Sequence, residues 1–121
     1  MNVAIIGYGA IATAHGRVIQ LLRRTPEWRQ LRLTAVMGRL PEPTAAFARE
    51  FGAATTTTDL ADILADPGVD AVIICSPSHL HASQAALALQ AGKHVLCEIP
   101  VATSLADTDR LIRIAAAAKR C

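Results

Sequence analysis

The chain has 121 residues, of which 52% are hydrophobic, 18% charged and 3% aromatic, with a formal net charge of +2. This length predicts one domain, because a chain of this size can bury roughly two-thirds of its unfolded surface. The composition excludes disorder, which requires few apolar residues and a strong net charge. Basic pairs at 23–24 and 119–120 are scattered and lack interleaved aromatic residues, so nucleic acid is not the expected partner.

No apolar run reaches the roughly 18–20 residues that a membrane helix needs, and the N-terminus shows no secretory signal. A membrane partner is therefore not expected. The 3 cysteines include no C-x-x-C pair, which indicates reduced thiols and predicts a cytoplasmic protein.

Short apolar runs alternate with helical periodicity along the whole chain. Strands are predicted at 3–6, 31–37, 53–57, 71–75 and 94–97, and helices at 11–24, 44–51, 58–64, 76–91 and 104–120. Thr44 is the expected cap of the second helix, and Leu111, Ile112 and Ala115 are the expected buried face of the last one. Strands that are apolar on both faces predict a parallel sheet covered by helices on both sides. The fold class is therefore α/β, a Rossmann-type doubly wound sheet with five strands.

The first predicted strand runs directly into the sequence G-Y-G-A-I-A, a dinucleotide-binding fingerprint with alanine in its third position. Gly7 permits the tight turn, Gly9 lets the backbone approach a pyrophosphate, and Ala12 lets the helix lie close to the strand. The helix start then offers amide groups and a dipole to the anion. A Gly-x-Gly turn can also join ordinary core elements, but this position between a strand and a helix favours nucleotide binding. The candidate phosphate loop is Gly7, Tyr8, Gly9, Ala10, Ile11 and Ala12.

The residues after the second strand predict which dinucleotide is bound. NAD sites place Asp or Glu here to hold the ribose hydroxyls, and an acid would repel a 2′-phosphate. This chain has Gly38 and Arg39 instead, so the repulsion is absent and Arg39 can form a charge-assisted pair with the phosphate. We therefore expect NADP(H) in preference to NAD(H), with a solvated surface arginine as the alternative interpretation.

Two later segments carry a more specific signal. Residues 62–81 include S-P-S-H-L-H, and residues 91–100 read A-G-K-H-V-L-C-E-I-P. Together with 7–12 and His15, they closely resemble the N-terminal domain of the glucose–fructose oxidoreductase and inositol dehydrogenase (Gfo/Idh/MocA) family, over essentially the whole chain. The resemblance implies the NAD(P)-binding domain of an enzyme that transfers a hydride between nicotinamide and an alcohol, aldehyde or hemiacetal carbon of a small polar substrate.

The resemblance also implies which residues lie beside the nicotinamide half of the cofactor. The segment from 76 to 81 matches the family's T/S-P-N-x-x-H, with Ser78 where asparagine is usual, and residues 98–100 match its E-K-P motif. The implied set is Cys75, Ser76, Pro77, His81, Glu98 and Pro100.

Ile99 departs from the family pattern, because the usual lysine at this position contacts the nicotinamide ribose and assists proton transfer. The chain therefore holds no complete catalytic set, and His81 and Glu98 are the candidates near the nicotinamide. E-I-P with an NADP preference is similar to the hydroxymuconic semialdehyde dehydrogenases, in which the substrate exists as a hydrate or hemiacetal and less basic assistance is needed.

No metal is expected. His79 and His81, with Cys75 and Cys97, are four possible ligands, but both cysteines fall in apolar strands and the spacing matches no structural zinc pattern. His15 fits packing against the sheet as well as ligand contact. For His81 the alternative to a nicotinamide role is a capping and packing histidine at the helix start.

Two other functions stay open. A non-catalytic NADPH-sensing or regulatory module is favoured by Ile99 and by the incomplete acid–base set. Binding of CoA or another nucleotide on a similar Rossmann half is disfavoured by the A-G-K-H-V-x-x-E segment.

The last residues read A-A-A-A-K-R-C, without the Gly or Pro that usually stops a helix. We expect residues 1–121 to form one dinucleotide-binding domain that lacks a sixth strand and a C-terminal substrate domain. By the resemblance, the substrate and an Asp/His proton acceptor would belong to that second domain. The strand at 94–97 would then be an exposed apolar edge, which predicts self-association into a homo-oligomer.

Overall fold

In the computed structural model, which describes residues 1–121, strands and helices alternate five times. The strands are β1 (Asn2–Ile6), β2 (Arg32–Met37), β3 (Thr55–Thr57), β4 (Ala71–Ile74) and β5 (His94–Cys97). The helices are α1 (Ala10–Leu22), α2 (Pro41–Phe51), α3 (Leu60–Ala65), α4 (Ser78–Gln90) and α5 (Leu105–Ala118). Every strand pairing is parallel, and the sheet order is β3-β2-β1-β4-β5. The predicted Rossmann-type α/β fold with five strands is confirmed.

The sheet separates two hydrophobic cores, because successive side chains of a strand point to opposite faces. Val3 and Ile5 of β1 pack with α1 and α2, in a cluster that includes Ile19 and Phe47. Ala4 and Ile6 pack on the other face with residues of α3, α4 and α5. Burial on both faces explains why the central strands read as continuous apolar runs.

The order of the strands reverses between β1 and β4. From β1 the chain moves outward through β2 and β3, and then returns to place β4 on the other side of β1. In open parallel sheets, ligands bind beyond the carboxyl ends of the strands at such a reversal. The fold therefore selects the loops after β1, β2, β4 and β5 as the candidate site.

Two sequence expectations about helices are wrong. Helix α2 starts at Pro41, so Thr44 lies inside it, where its Oγ1 donates to the Leu40 carbonyl at 2.6 Å instead of capping the first turn. Proline suits the first helical position because its missing N–H would have no partner there. Ile112 of α5 is 62% exposed, because α5 packs mainly on α4, where Leu111 is buried and Ile112 is not.

Strand β5 is one of the two outer strands of the sheet. The Cys121 carbonyl accepts from the Val95 amide at 2.6 Å, so the edge is partly covered by the last residue. Between β5 and α5 lies an open groove of about 300 Å³ whose lining is nearly all apolar. None of the helices is both long and apolar enough to span a bilayer.

Candidate functional site

The residues predicted from sequence converge at one edge of the sheet. The phosphate loop follows β1, Gly38 and Arg39 follow β2, residues 75–77 follow β4, and residues 98–100 follow β5. The strands are parallel, so their carboxyl ends all open on the same side. His81 lies in the first turn of α4 and faces the same loops.

The phosphate loop is tied to both neighbouring strands. Gly7 has φ 113°, and a Cβ at this position would lie 2.7 Å from the Cys75 carbonyl oxygen, so only glycine fits. Its amide also donates to the Met37 carbonyl at 2.8 Å. The loop is therefore held between the ends of β4 and β2.

Gly9 has a different environment, because a Cβ placed on it would have no atom within 4 Å. It is the N-cap of α1, and no side chain caps this helix start. The first amides of a helix have no partner within the helix and carry partial positive charge. Ala12 is fully buried, as expected for close contact between α1 and the sheet. An uncapped helix start with open space above it fits the pyrophosphate of a dinucleotide.

The end of β2 presents one free cation. Arg39 is exposed and makes no hydrogen bond or ion pair with the rest of the chain. Gly38, beside it, is buried under the ring of Tyr8 and the Thr44 hydroxyl. No acidic side chain stands at the strand end, so nothing here would repel a phosphate.

His81 braces the loops that follow β4 and β5. It is 2% exposed, and its Nδ1 lies 2.8 Å from the Pro100 carbonyl while its Nε2 lies 2.7 Å from the Ser76 carbonyl. Each ring nitrogen therefore lies within hydrogen-bonding distance of a backbone carbonyl oxygen. This arrangement is a packing role, as in the alternative given above, although no side chain caps the start of α4. Direct contact of His81 with nicotinamide or substrate stays a prediction.

A side-chain contact that the sequence does not reveal joins α1 to the loop after β5. His15 Nε2 and Glu98 Oε1 are 2.6 Å apart, and both side chains are about a quarter exposed. These residues are 83 positions apart in the chain, so only the folded sheet brings them together. The hydrogen bond fixes the Glu98 carboxylate at the mouth of the candidate site.

Cys75 adjoins this pair, and all three ligand atoms lie within 4.8 Å of one another. The pKa of the Cys75 thiol is raised to about 12, mainly by burial and to a smaller extent by the charges of Glu98 and Cys97. Burial, followed by Glu98, raises the pKa of Cys97 to about 11. Metals bind the thiolate, whereas a thiol of such pKa stays protonated at neutral pH. The residues form a hydrogen-bonded pair beside a neutral thiol, and the absence of a metal stays a prediction.

Ile99 stands out as the most exposed apolar side chain of the site. It is 87% exposed, next to Glu98 and in a cis peptide bond with Pro100. An isoleucine offers neither a proton nor a charge, so this position can make only apolar contacts.

Lys93 is a structural residue that sequence reasoning missed. Its side chain is buried, and Nζ donates to the carbonyls of Asp66 at 2.6 Å and Val69 at 2.8 Å. The lysine thus holds the turn before β4 against the start of β5. A lysine between Gly92 and His94, at a strand start, reads as a surface residue in sequence, and no local signal would have indicated its burial.

Comparison with known proteins gives a consistent match. A family model described as "Oxidoreductase family, NAD-binding Rossmann fold" (GFO_IDH_MocA) matches residues 1–121. A 4-carboxy-2-hydroxymuconate-6-semialdehyde dehydrogenase from Sphingobium sp. is 36% identical over 113 residues, which is 93% of this chain and 34% of the relative.

Two solved structures show the same fold. An NAD binding oxidoreductase from Klebsiella pneumoniae has a TM-score of 0.90 and 30% identity, covering 99% of this chain and 32% of that one. A biliverdin reductase from Synechocystis sp., in complex with biliverdin and NADP+, has a TM-score of 0.84 and 32% identity. The match covers 98% of this chain and 35% of that one. The chain thus spans about a third of the length of the proteins that it matches.

Proposed function

The chain belongs to the Gfo/Idh/MocA oxidoreductase family, and from this premise we propose that it is the cofactor-binding domain of an oxidoreductase that uses NADP(H). The observation that carries the proposal is the start of α1, where the uncapped amides lie beside the open space at Gly9. Residues 7–12 would hold the pyrophosphate, with the loop fixed between β2 and β4. The domain comprises residues 1–121.

Gly38 and Arg39 support NADP(H) over NAD(H). Arg39 has no partner within the chain, so its guanidinium can pair with a 2′-phosphate without losing an internal contact. The similar biliverdin reductase was solved with NADP+, whereas the similar Klebsiella protein is described as NAD binding. Both cofactors thus occur among the similar proteins, and the residues at the end of β2 support NADP(H) for this chain.

The loops after β4 and β5 would face the nicotinamide half. His81 holds these two loops together through its contacts with the Ser76 and Pro100 carbonyls, and His15 orients the Glu98 carboxylate toward the same opening. The cofactor, when bound, supplies the hydride chemistry itself. This chain's contribution is orientation, and orientation can supply a large part of a rate enhancement.

Ile99 narrows the substrate class. An exposed isoleucine at this position gives no basic assistance to the oxidation of a simple alcohol. The substrate that fits is an aldehyde oxidised as its hydrate or cyclic hemiacetal. The similar relative from Sphingobium sp. is named as a semialdehyde dehydrogenase, and a semialdehyde is a substrate of this class. We place the acid–base residue for this step outside residues 1–121, together with most of the substrate site.

The proposal is tested by calorimetric titration of the chain with NADPH, NADH and CoA separately. We expect saturable binding of NADPH, weaker binding of NADH and none of CoA. Saturation by CoA with no response to either dinucleotide would overturn the proposal. Oxidation of an aldehyde coupled to NADP+ reduction by the whole protein distinguishes an enzyme from an NADPH sensor, which would bind the cofactor without turnover.

We further propose that the protein is located in the cytoplasm, a reducing compartment. We also propose that it self-associates through the outer strand β5. All three cysteines are unpaired, in keeping with a reducing compartment. Leu96 of β5 is 49% exposed on the face of the sheet opposite the apolar groove, which Val95 and Cys97 line, and an apolar edge invites pairing with a second copy. Sedimentation equilibrium should show association at high concentration that Leu96→Lys weakens. A wild-type chain that stays monomeric at high concentration would contradict the self-association.

A further inference from the structure

The side chains of Tyr8 and Thr44 fill the space in which a side chain of residue 38 would lie. A Cβ built on Gly38 would overlap ring carbons of Tyr8 and the Oγ1 of Thr44, at separations that real Cβ atoms essentially never show. The position is buried, immediately after the last residue of β2. This is also the position at which an acidic side chain would select NAD(H). The residue that decides cofactor preference is therefore under a packing constraint of its own.

The two neighbours have little freedom to give way. Thr44 is 1% exposed, and its Oγ1 is held by the Leu40 carbonyl at 2.6 Å. Tyr8 belongs to the phosphate loop, and its ring packs against the core between the sheet and α1–α2. The Gly38 backbone cannot easily retreat, because its amide donates to the Thr57 carbonyl at 3.1 Å. A side chain at position 38 would have to displace a buried hydroxyl or the phosphate loop.

We infer that Tyr8 and Thr44 are specificity-determining residues, because they reserve position 38 for glycine and so exclude the carboxylate that would favour NAD(H). The inference rests on the proposed NADP(H) site and deepens it. Arg39 supplies the attraction for a 2′-phosphate, whereas Tyr8 and Thr44 prevent the competing acid. A change of cofactor preference consequently requires Gly38→Asp together with the removal of both obstructing groups.

The packing constraint is tested first without any cofactor. Gly38→Ala adds only the overlapping Cβ, and overpacking of this kind is expected to lower Tm by about 5–15 °C in a domain of this size. Gly9→Ala is the matched control, since it adds the same atom to the neighbouring loop after β1, in open space, and should leave Tm unchanged or slightly raised. A Gly38→Ala variant as stable as Gly9→Ala would overturn the inference.

The specificity is tested by placing Gly38→Asp in the wild-type chain and in the Tyr8→Ala/Thr44→Ala background, with Kd for NADPH and NADH and Tm measured for each. In the wild-type chain we expect a large loss of Tm and weak binding of both cofactors. In the relieved background we expect a smaller loss of Tm and a fall in the NADPH preference of about 30-fold or more. Gly38→Asp that switches preference on its own, or a relieved variant no better for NADH, would overturn the inference.

The proposed NADP(H) preference and the packing constraint at position 38 can be refuted independently of each other. A wild-type chain that prefers NADH would refute the proposed NADP(H) preference, whereas the Tm comparison of Gly38→Ala with Gly9→Ala is independent of any cofactor. Should the double background fail to fold, that comparison and the Tm of Gly38→Asp alone still decide whether position 38 is reserved for glycine.

Discussion

Arg39→Ala is expected to weaken NADPH binding while leaving the fold intact. The side chain is exposed and has no partner within the chain, so the stability of the domain should change by no more than about 0.5 kcal/mol. A hydrogen bond to a charged group contributes about 1.5–3 kcal/mol. Solvent screening at an exposed site places the expectation at the lower end of that range. The predicted loss in NADPH affinity is therefore roughly tenfold and at most about 100-fold.

The assay is a fluorescence titration of each variant with NADPH and with NADH at fixed ionic strength. Arg24→Ala is a suitable control, because it removes the same charge from an exposed position beyond the far end of α1. It should alter neither Kd. NADH lacks the 2′-phosphate, so Arg39→Ala should leave its affinity nearly unchanged. Equal losses for both cofactors would refute the reasoning, because the arginine would then serve the fold or the shared part of the ligand.

Lys93→Met should lower the free energy of unfolding by about 2–4 kcal/mol, because the half-buried Asp66 carbonyl and the buried Val69 carbonyl lose a charged donor. In urea titrations the exposed Lys119→Met should change little, and equal midpoints would contradict the buried role of Lys93. At pH 8, iodoacetamide should modify exposed Cys121 well before Cys75 and Cys97, and rapid loss of all three thiols in the folded chain would contradict their burial. The stability should also depend on pH through the thiols of Cys75 and Cys97. Their pKa values rise from the ordinary 9.0 to about 12 and about 11 on folding, so they remain protonated while the unfolded thiols ionise. Their contribution is complete below pH 9 and is lost as the pH rises through 11 and 12, which urea titrations above pH 9 would detect as a falling free energy of unfolding.

The sequence predicts those parts of the fold that depend on local pattern. Strand–helix alternation with doubly apolar strands leads directly to the parallel sheet, and the residues of β5 are predicted at their observed bounds. The phosphate loop is predictable because each glycine is required by the local backbone. Gly7 has a positive φ, and the open space at Gly9 lets a ligand approach the backbone. The side-chain caps of α3 and α5 are local too, because Asp59 accepts from the Ala61 amide and Ser104 from the Asp107 amide, only two or three residues away.

Contacts between distant segments were beyond prediction. The pairing of His15 with Glu98 and the burial of Lys93 depend on which loops the finished sheet brings together. The exposure of Ile112 is not predictable either, because helical period alone does not say which flank of an apolar stripe is buried. The packing of Tyr8 over Gly38 likewise joins two loops that follow different strands.

The most direct test of the cofactor-binding account is an NMR titration of the isotopically labelled chain with NADPH. We expect the largest amide shift changes at residues 7–12 and at Arg39. NADH should reproduce the changes at residues 7–12 with a much weaker effect at Arg39. Saturating NADPH without shifts at residues 7–12, or with its largest shifts at the opposite edge of the sheet, would contradict it.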